Sequence, residues 1–398
     1  VSVPDPAGDS TSAQGFAAGA VYAGIKTYGD GKYDLGILAS DRPCTVAATF
    51  TKNLLHSASV DVNRAHLAVA SARAVVVNSG VANSSTGQRG LADGEQMAAW
   101  AAGRLGLQPA EVLVCSTGVI GHFLPMEKIE SGIAAIEVSP AGGAMFARAI
   151  MTTDTRPKHA SVKFGHYTLG GCSKGSGMIH PNMATMLAFL TTDAPIEQRL
   201  LQTTLSAAVE KSFNLLSIDG DTSPSDTVLL FANGGAGGDT IAGGSRLAGD
   251  FASAVEVLCV YLAKEMARDG EGATKLIEFR VSGAATQDEA ASLVRTLSTS
   301  YLLKSAVHGA DPNWGRVIAV VGRSGVTVSE PHVTAAICGT RVFQDECPTE
   351  FDPQVVATAM RGDTVTIEVE LGAGAASATG WGCDLSAEYV SINADYHT

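Results

Sequence analysis

A chain of 398 residues, 45% hydrophobic and 17% charged, has the composition of a dense globule with more than one lobe and a large core. Acidic side chains outnumber basic ones 40 to 27, for a net charge of −13, and no basic cluster offers a footprint for nucleic-acid phosphates. No apolar run approaches the roughly 18 residues of a membrane helix, and Val1 to Gln14 has neither the basic head nor the apolar core of a signal peptide. A cytoplasmic protein with no membrane or nucleic-acid partner is expected.

In chain order, residues 73–78 read as a buried strand, Ala92 to Leu105 as a helix, and 112–116 as a second buried strand. Helices are expected at Met126–Ile136 and Ala141–Met151, then a strand at Val162–Leu169 and another at Met186–Thr191. The second half adds helices at Ile196–Phe213, Phe251–Asp269 and Gln287–Leu297, with strands at Thr227–Phe231, Ile277–Ser282, Val317–Val321 and Thr364–Leu371. Helix and strand alternate irregularly, which predicts a mixed α/β fold without a regular parallel winding. The stretch from Asn233 to Asp239 is glycine-rich and reads as an exposed loop.

The seven cysteines (Cys44, Cys115, Cys172, Cys259, Cys338, Cys347, Cys383) are scattered and odd in number, and neither a CxxC nor an HExxH motif occurs. They read as reduced thiols packed as small apolar groups. No metal or cofactor is expected, because GxGxxG and Walker A sequences are absent too. Gly171-Cys172-Ser173-Lys174-Gly175 matches the GxSxG nucleophile elbow, but that motif needs a helix directly after it, and Gly177 and Pro181 oppose one.

The run from Lys174 to Leu187 carries the most chemistry. A glycine-rich approach passes Pro181 and Asn182, and Ala184 and Thr185 then lead into an apolar strand. If the Ala184–Thr185 bond breaks, Thr185 gains a free amine beside its own hydroxyl, and that amine can act as the hydroxyl's base. A free α-amine titrates near ~7.7–8.0, close to working pH. The plain alternative is a loop entering a buried strand, with Thr185 an ordinary β-former. Thr117-Gly118 follows a strand and reads either as a turn or as a pair of oxyanion donors.

This run closely resembles the self-processing site of the ornithine acetyltransferase (glutamate N-acetyltransferase) family. The resemblance extends through Ser116-Thr117-Gly118-Val119-Ile120-Gly121, Ile150 to Thr155, Ser212-Phe213-Asn214 with Asp219 to Ser223, Asp269 to Lys275, Asp311 to Arg316, and Tyr389 to Tyr396. Seven blocks in the family's order cover essentially the whole chain. They imply an α/β fold of mixed sheets with flanking helices, the N-terminal-nucleophile type of self-processing architecture. They also imply autocatalytic cleavage into 1–184 and 185–398, two pieces that stay interdigitated as one folding unit.

The implied activity is an acyltransferase of arginine biosynthesis that moves an acetyl group from N-acetylornithine to glutamate through an acetyl-threonine, by a ping-pong route. Acetyl-CoA is left open as a further donor. Thr185 is the implied nucleophile, and Thr117 and Gly118 form the oxyanion hole. Lys174, Glu271, Asn393 and Thr398 contact substrate, as does one of Thr152 and Thr153. The implied assembly has two copies of each processed chain. Three departures from the family stand out: Val81, Ser225 and His397. The competing class is an N-terminal-nucleophile amidohydrolase or aminopeptidase that gives the acyl group to water.

Overall fold

The computed structural model describes residues 1–26, 32–180 and 186–395. Ala184, Thr185, His397 and Thr398 therefore lie outside the described residues. The first half runs β1 (Phe16–Val21), β2 (Leu35–Ser40), β3 (Thr45–Phe50), α1 (Ala58–Val69), β4 (Ala74–Val81), α2 (Gly87–Leu105), β5 (Val112–Val119), α3 (Met126–Ala135), α4 (Gly143–Ala149), β6 (Lys158–Phe164) and β7 (Tyr167–Lys174). Next come β8 (Leu187–Thr192), α5 (Gln198–Lys211), β9 (Leu216–Ser217), β10 (Thr227–Ala232), α6 (Arg246–Arg268), β11 (Leu276–Ala284) and α7 (Gln287–Ser298). The chain continues through α8 (Tyr301–His308), α9 (Trp314–Arg323), β12 (Thr334–Ile337), β13 (Thr340–Gln344) and β14 (Cys347–Pro348). It closes with α10 (Pro353–Met360), β15 (Thr364–Glu370), β16 (Ala376–Cys383) and α11 (Ala387–Asp395).

Three sheets result, ordered β1-β2-β4-β5, β3-β10-β8-β7-β6 and β14-β13-β12-β15-β11-β16-β9. The first two pack face to face. Val75, Val77, Leu113 and Cys115 from one meet Leu187, Phe189, Leu229 and Phe231 from the other. On their outer faces, Val76 and Val114 pack under α2 and α3, while Ala188, Leu190 and Leu230 pack under α5 and α6. The order of layers is helix, sheet, sheet, helix. This explains why Leu187-Ala188-Phe189-Leu190 shows no polar alternation: a strand buried on both faces is apolar at every position.

Most expected elements are present, with two corrections. Residues 162–169 are the turn region of a hairpin, since β6 ends at Phe164 and Gly165 (φ +56°) reverses the chain into β7. Residues 317–321 are helix, with Val317, Val320 and Val321 buried at helical spacing and Asn313 Oδ1 accepting from the Arg316 N–H. Helix α6 begins five residues before the expected Phe251, where Ser245 Oγ caps the Ala248 N–H at 3.1 Å. The GxSxG sequence lies inside and at the end of β7, with Ser173 fully buried, so no nucleophile elbow forms. In the 233–239 loop, Asn233 is buried and donates to Gln14 O, and exposure begins only at Gly237. No described helix is long and apolar enough to cross a membrane.

Besides apolar packing of Leu276, Trp381 and Cys383 with α6, the seven-stranded sheet is tied to that helix through Glu278 on β11. Its Oε1 accepts from Arg280 Nε and Nη2 (2.8 and 2.7 Å), and its Oε2 from Lys264 Nζ of α6 (2.9 Å) and Trp381 Nε1 (3.1 Å). Burial pushes this carboxyl up, but the bonds from Lys264, Arg280 and Trp381 outweigh it and hold the pKa down at about 2. A depressed carboxylate contributes stability above its ordinary value of 4.5 and loses that contribution as pH falls toward 2. Glu278→Gln should therefore lower the urea midpoint at pH 7 and flatten its fall between those pH values. An acid limb as steep as that of the parent would remove Glu278 from this junction.

Candidate active site

The chain leaves the five-stranded sheet at Lys174 and returns at Leu187, which are register partners on β7 and β8. Between them the described residues are held almost one by one. Gly175 N donates to Asp154 Oδ1 (2.7 Å), Ser176 Oγ meets Thr153 Oγ1 (2.7 Å), and Ser176 O accepts from Glu271 N (2.8 Å). Met178, in the left-handed region at φ +55°, and Ile179 both donate their N–H to the Asp219 carboxylate (2.5 and 2.8 Å). His180 Nδ1 lies 3.2 Å from Ser217 Oγ. On the return side, Met186 N donates to Asp226 Oδ1 at 2.9 Å. The expected cleavage point and nucleophile fall in the five residues between these anchors, outside the described residues.

Thr117 and Gly118 do not follow the strand, as the sequence suggested, but are its third-last and second-last residues, since β5 runs on to Val119. A register irregularity at Gly80 and Val81 of β4 disturbs the ladder beside them. Gly118 sits at φ +127°, and a Cβ there would come 2.3 Å from Gly80 C. No other residue fits there.

These elements enclose a cavity of about 250 Å³ that is lined by Thr117, Gly118, Thr152, Thr153, Lys174, Glu271 and Asn393 together. Every expected site residue within the described chain is there, drawn from positions 117 to 393. Lys174 Nζ donates to Thr152 Oγ1 (3.2 Å), and Asn393 Nδ2 donates to Glu271 Oε2 (2.8 Å). Both threonines of the 152–153 pair line the cavity, so its wall does not choose between them.

The electrostatics are divided. Lys174 is buried to 2% exposure, which pushes its ammonium below the ordinary lysine value against the attraction of Asp154 and Asp226. Glu271 is 7% exposed on the lining, and Asp219 and Asp221 add acidic groups. Burial pushes Asp219 above the usual carboxylate range despite three backbone donors. Burial, together with Asp219 and Glu271, pushes the Tyr389 phenol well up, so it stays protonated as a donor. The pocket thus offers one cation at its floor and carboxylates on its wall.

Asp219, Asp221, Met178, Gly177 and Tyr389 are lining residues that the sequence did not single out. Asp219 and Asp221 stand in a matched block, but a carboxylate near a glycine reads equally as a turn. Of the departures, Ser225 lines the cavity, with its hydroxyl 3.4 Å from Ser84 Oγ. Val81 is partly buried against the core beneath α2 and α3. Among the described residues no group of His, Cys, Asp or Glu converges as a metal site requires.

The four-layer α/β frame thus gathers Lys174, Glu271 and the Thr117-Gly118 pair at one pocket of a size that suits a small molecule. The sequence model of the ArgJ family matches residues 17–398, and the chain belongs to that family. It is 45% identical to the arginine biosynthesis bifunctional protein ArgJ of Dehalococcoides mccartyi, over 99% of this chain and 98% of that one. The protein of the same name from Deinococcus radiodurans is 47% identical, over 99% of this chain and 100% of its own. A crystal structure of the Bacillus halodurans arginine biosynthesis bifunctional protein ArgJ is 41% identical with a TM-score of 0.51, covering 52% of this chain and 98% of that one.

Gly177 explains how Glu271 is aimed. A Cβ on Gly177 would lie 2.5 Å from the Glu271 carboxyl carbon and both of its oxygens. Only a bare backbone lets the carboxylate rest there. Gly177→Ala should fold, because a flexible side chain can yield, but it should raise KM about ten-fold by displacing Glu271. An unchanged KM would mean that the Glu271 position is immaterial to binding.

Proposed function

We propose that the chain is an acetyltransferase of arginine biosynthesis, a glutamate N-acetyltransferase that takes its acetyl group from N-acetylornithine. The observation that carries this reading is the single pocket that unites Thr117, Gly118, Lys174, Glu271 and Asn393 and is also lined by Gly177 and Met178, a few residues ahead of Thr185 in the chain. The name borne by the D. mccartyi and D. radiodurans relatives supports the pathway. Lys174 suits the substrate α-carboxylate, and Glu271 suits the δ-ammonium of ornithine.

In the proposed sequence the chain first cuts itself between Ala184 and Thr185. The Thr185 hydroxyl attacks the preceding carbonyl, the acyl group shifts from nitrogen to oxygen, and water hydrolyses the ester. The five-stranded sheet supports two pieces that remain one unit, because β3, β6 and β7 precede the cut and β8 and β10 follow it. The B. halodurans chain also supports a cut, being 98% covered while matching only 52% of this chain.

Transfer then follows. Thr185 Oγ attacks the acetyl carbonyl of N-acetylornithine while the Thr185 amine takes the proton. The Thr117 hydroxyl and Gly118 N–H stabilise the oxyanion, and ornithine leaves with the proton. The α-amine of glutamate attacks the acetyl ester and departs as N-acetylglutamate. The ester conserves transfer potential, so the cycle needs no further energy source. Acetyl-CoA enters the same scheme as a second donor, since a thioester acylates the same hydroxyl. A cytoplasmic assembly of two copies of each piece completes the reading.

Denaturing mass measurement should give two fragments, 1–184 and 185–398, with no added protease, while Thr185→Ala stays one inactive chain. N-acetylornithine alone should add one acetyl mass to the fragment beginning at Thr185, and glutamate should remove it as N-acetylglutamate. Label discharged by water as fast as by glutamate would make the protein a hydrolase.

Thr117→Ala removes one oxyanion donor and should slow acetylation by roughly 10²–10³ with the fold intact. Unaltered turnover would leave Thr117 a mere strand residue.

A further inference from the structure

Beneath the pocket lies a buried ion network that the proposed reaction does not use. Lys158, on β6 and 2% exposed, donates from Nζ to Asp154 Oδ1 and to Asp269 Oδ2, both at 2.5 Å. Asp154 also accepts from Gly175 N at Oδ1 and from Thr152 N at Oδ2 (3.0 Å). It therefore touches the residue after Lys174 and the residue whose hydroxyl Lys174 holds. Asp269 accepts from Thr155 N (3.1 Å) and from the Thr155 hydroxyl, and it stands two residues before Glu271.

Lys174 differs from Lys158 in one respect. Among the described residues it forms no ion pair, and its bond goes to the neutral Thr152 hydroxyl at 3.2 Å. Yet Asp154 is close enough to attract it. An ammonium already paired with a protein carboxylate must give up that bond before it takes another.

We propose that Lys158 is a positioning residue that keeps Lys174 available to substrate, by holding the Asp154 carboxylate that would otherwise capture the Lys174 ammonium. The same ammonium ties the segment of Thr152 and Lys174 to the segment of Glu271, fixing the distance between the two charged ends of the pocket. This rests on the reading above that Lys174 takes the substrate carboxylate.

The test is a kinetic comparison of processed enzymes with N-acetylornithine and glutamate. Lys158→Met should raise KM for both substrates roughly ten-fold while kcat changes by less than about three-fold. Adding Asp154→Asn removes the competing charge but keeps only one side-chain oxygen for the Thr152 and Gly175 amides, so the double variant should recover part of the lost affinity, with KM about three-fold below that of Lys158→Met. Asp269 keeps the two Thr155 donors and loses the ammonium equally in both variants, so the comparison isolates Asp154. If Lys158→Met fails to fold, the double variant is compared with Lys174→Met instead and should bind more tightly than it.

A double variant that binds as poorly as the single one, or does not fold, overturns the proposal. Losing the second member of a buried ion pair also restores stability, so the unfolding midpoint is measured beside KM, and a midpoint that recovers with KM unchanged marks a purely structural cluster. Lys174→Met separates the two readings. If it leaves KM unaltered, the role of Lys174 itself falls and the proposal with it. If it raises KM while the double variant is not rescued, only the proposal falls.

Discussion

The site depends on buried carboxylates that stand in for missing strand partners. Between the strand ends and the helix that line the pocket run loops, and loop amides buried beneath a protein surface need acceptors. Asp154 takes the N–H of Thr152 and Gly175; Asp219 takes those of Met178, Ile179 and Asp221. Asp226 takes Met186, Asp269 takes Thr155, and Asp384 takes Thr274 and Lys275. Asp154 and Asp219 thus fix segments that carry pocket residues, while Asp269 and Asp384 fix amides two and three residues from Thr153 and Glu271. The charge states differ with the donors. Burial pushes Asp154 up, but Lys158 and Lys174 overcome it and hold the carboxylate far below its usual range. Asp226, with a backbone donor and no contacting ammonium, is pushed well above that range by burial. Amides alone do not offset full burial of a carboxylate; an ammonium does.

This arrangement accounts for what the sequence could tell. Strands buried on both faces stand out as unbroken apolar runs, so the central strands of both packed sheets are legible from Val75-Val76-Val77 and Leu187 to Leu190. The pocket residues are legible for another reason. Thr117, Lys174, Glu271 and Asn393 have no common periodicity, and only their resemblance to a family pattern joined them. Their convergence is a fact of topology, since it needs β5, β7, the end of α6 and α11 to meet at one place.

What stayed hidden has equally physical causes. Val317 to Val321 is β-branched enough to suggest a strand, yet the Asn313 cap and a one-sided burial pattern make it a helix. The 162–169 run alternates apolar and polar residues, with Val162 and Phe164 before Gly165 and Tyr167 and Leu169 after it, so two half-buried strands read as one and the turn between them is masked. Lys158 looks like any surface lysine at the start of a strand. Its meaning comes from Asp269, 111 residues away, and that distance is closed only by packing of α6 across β6.

On the proposed cut, the same fastening decides what becomes of the new chain ends. Strand β8 lies between β7 and β10, bonded on both edges, and Met186 is tied to Asp226 directly behind the nucleophile position. Breaking the bond before Thr185 removes no rung of either β8 ladder, both of which begin at Leu187. A terminus made in this way inherits the rigidity of a central strand, whereas an ordinary chain end frays. That is the condition an N-terminal nucleophile requires: its base and its hydroxyl share one residue, so only the backbone behind that residue can aim them both.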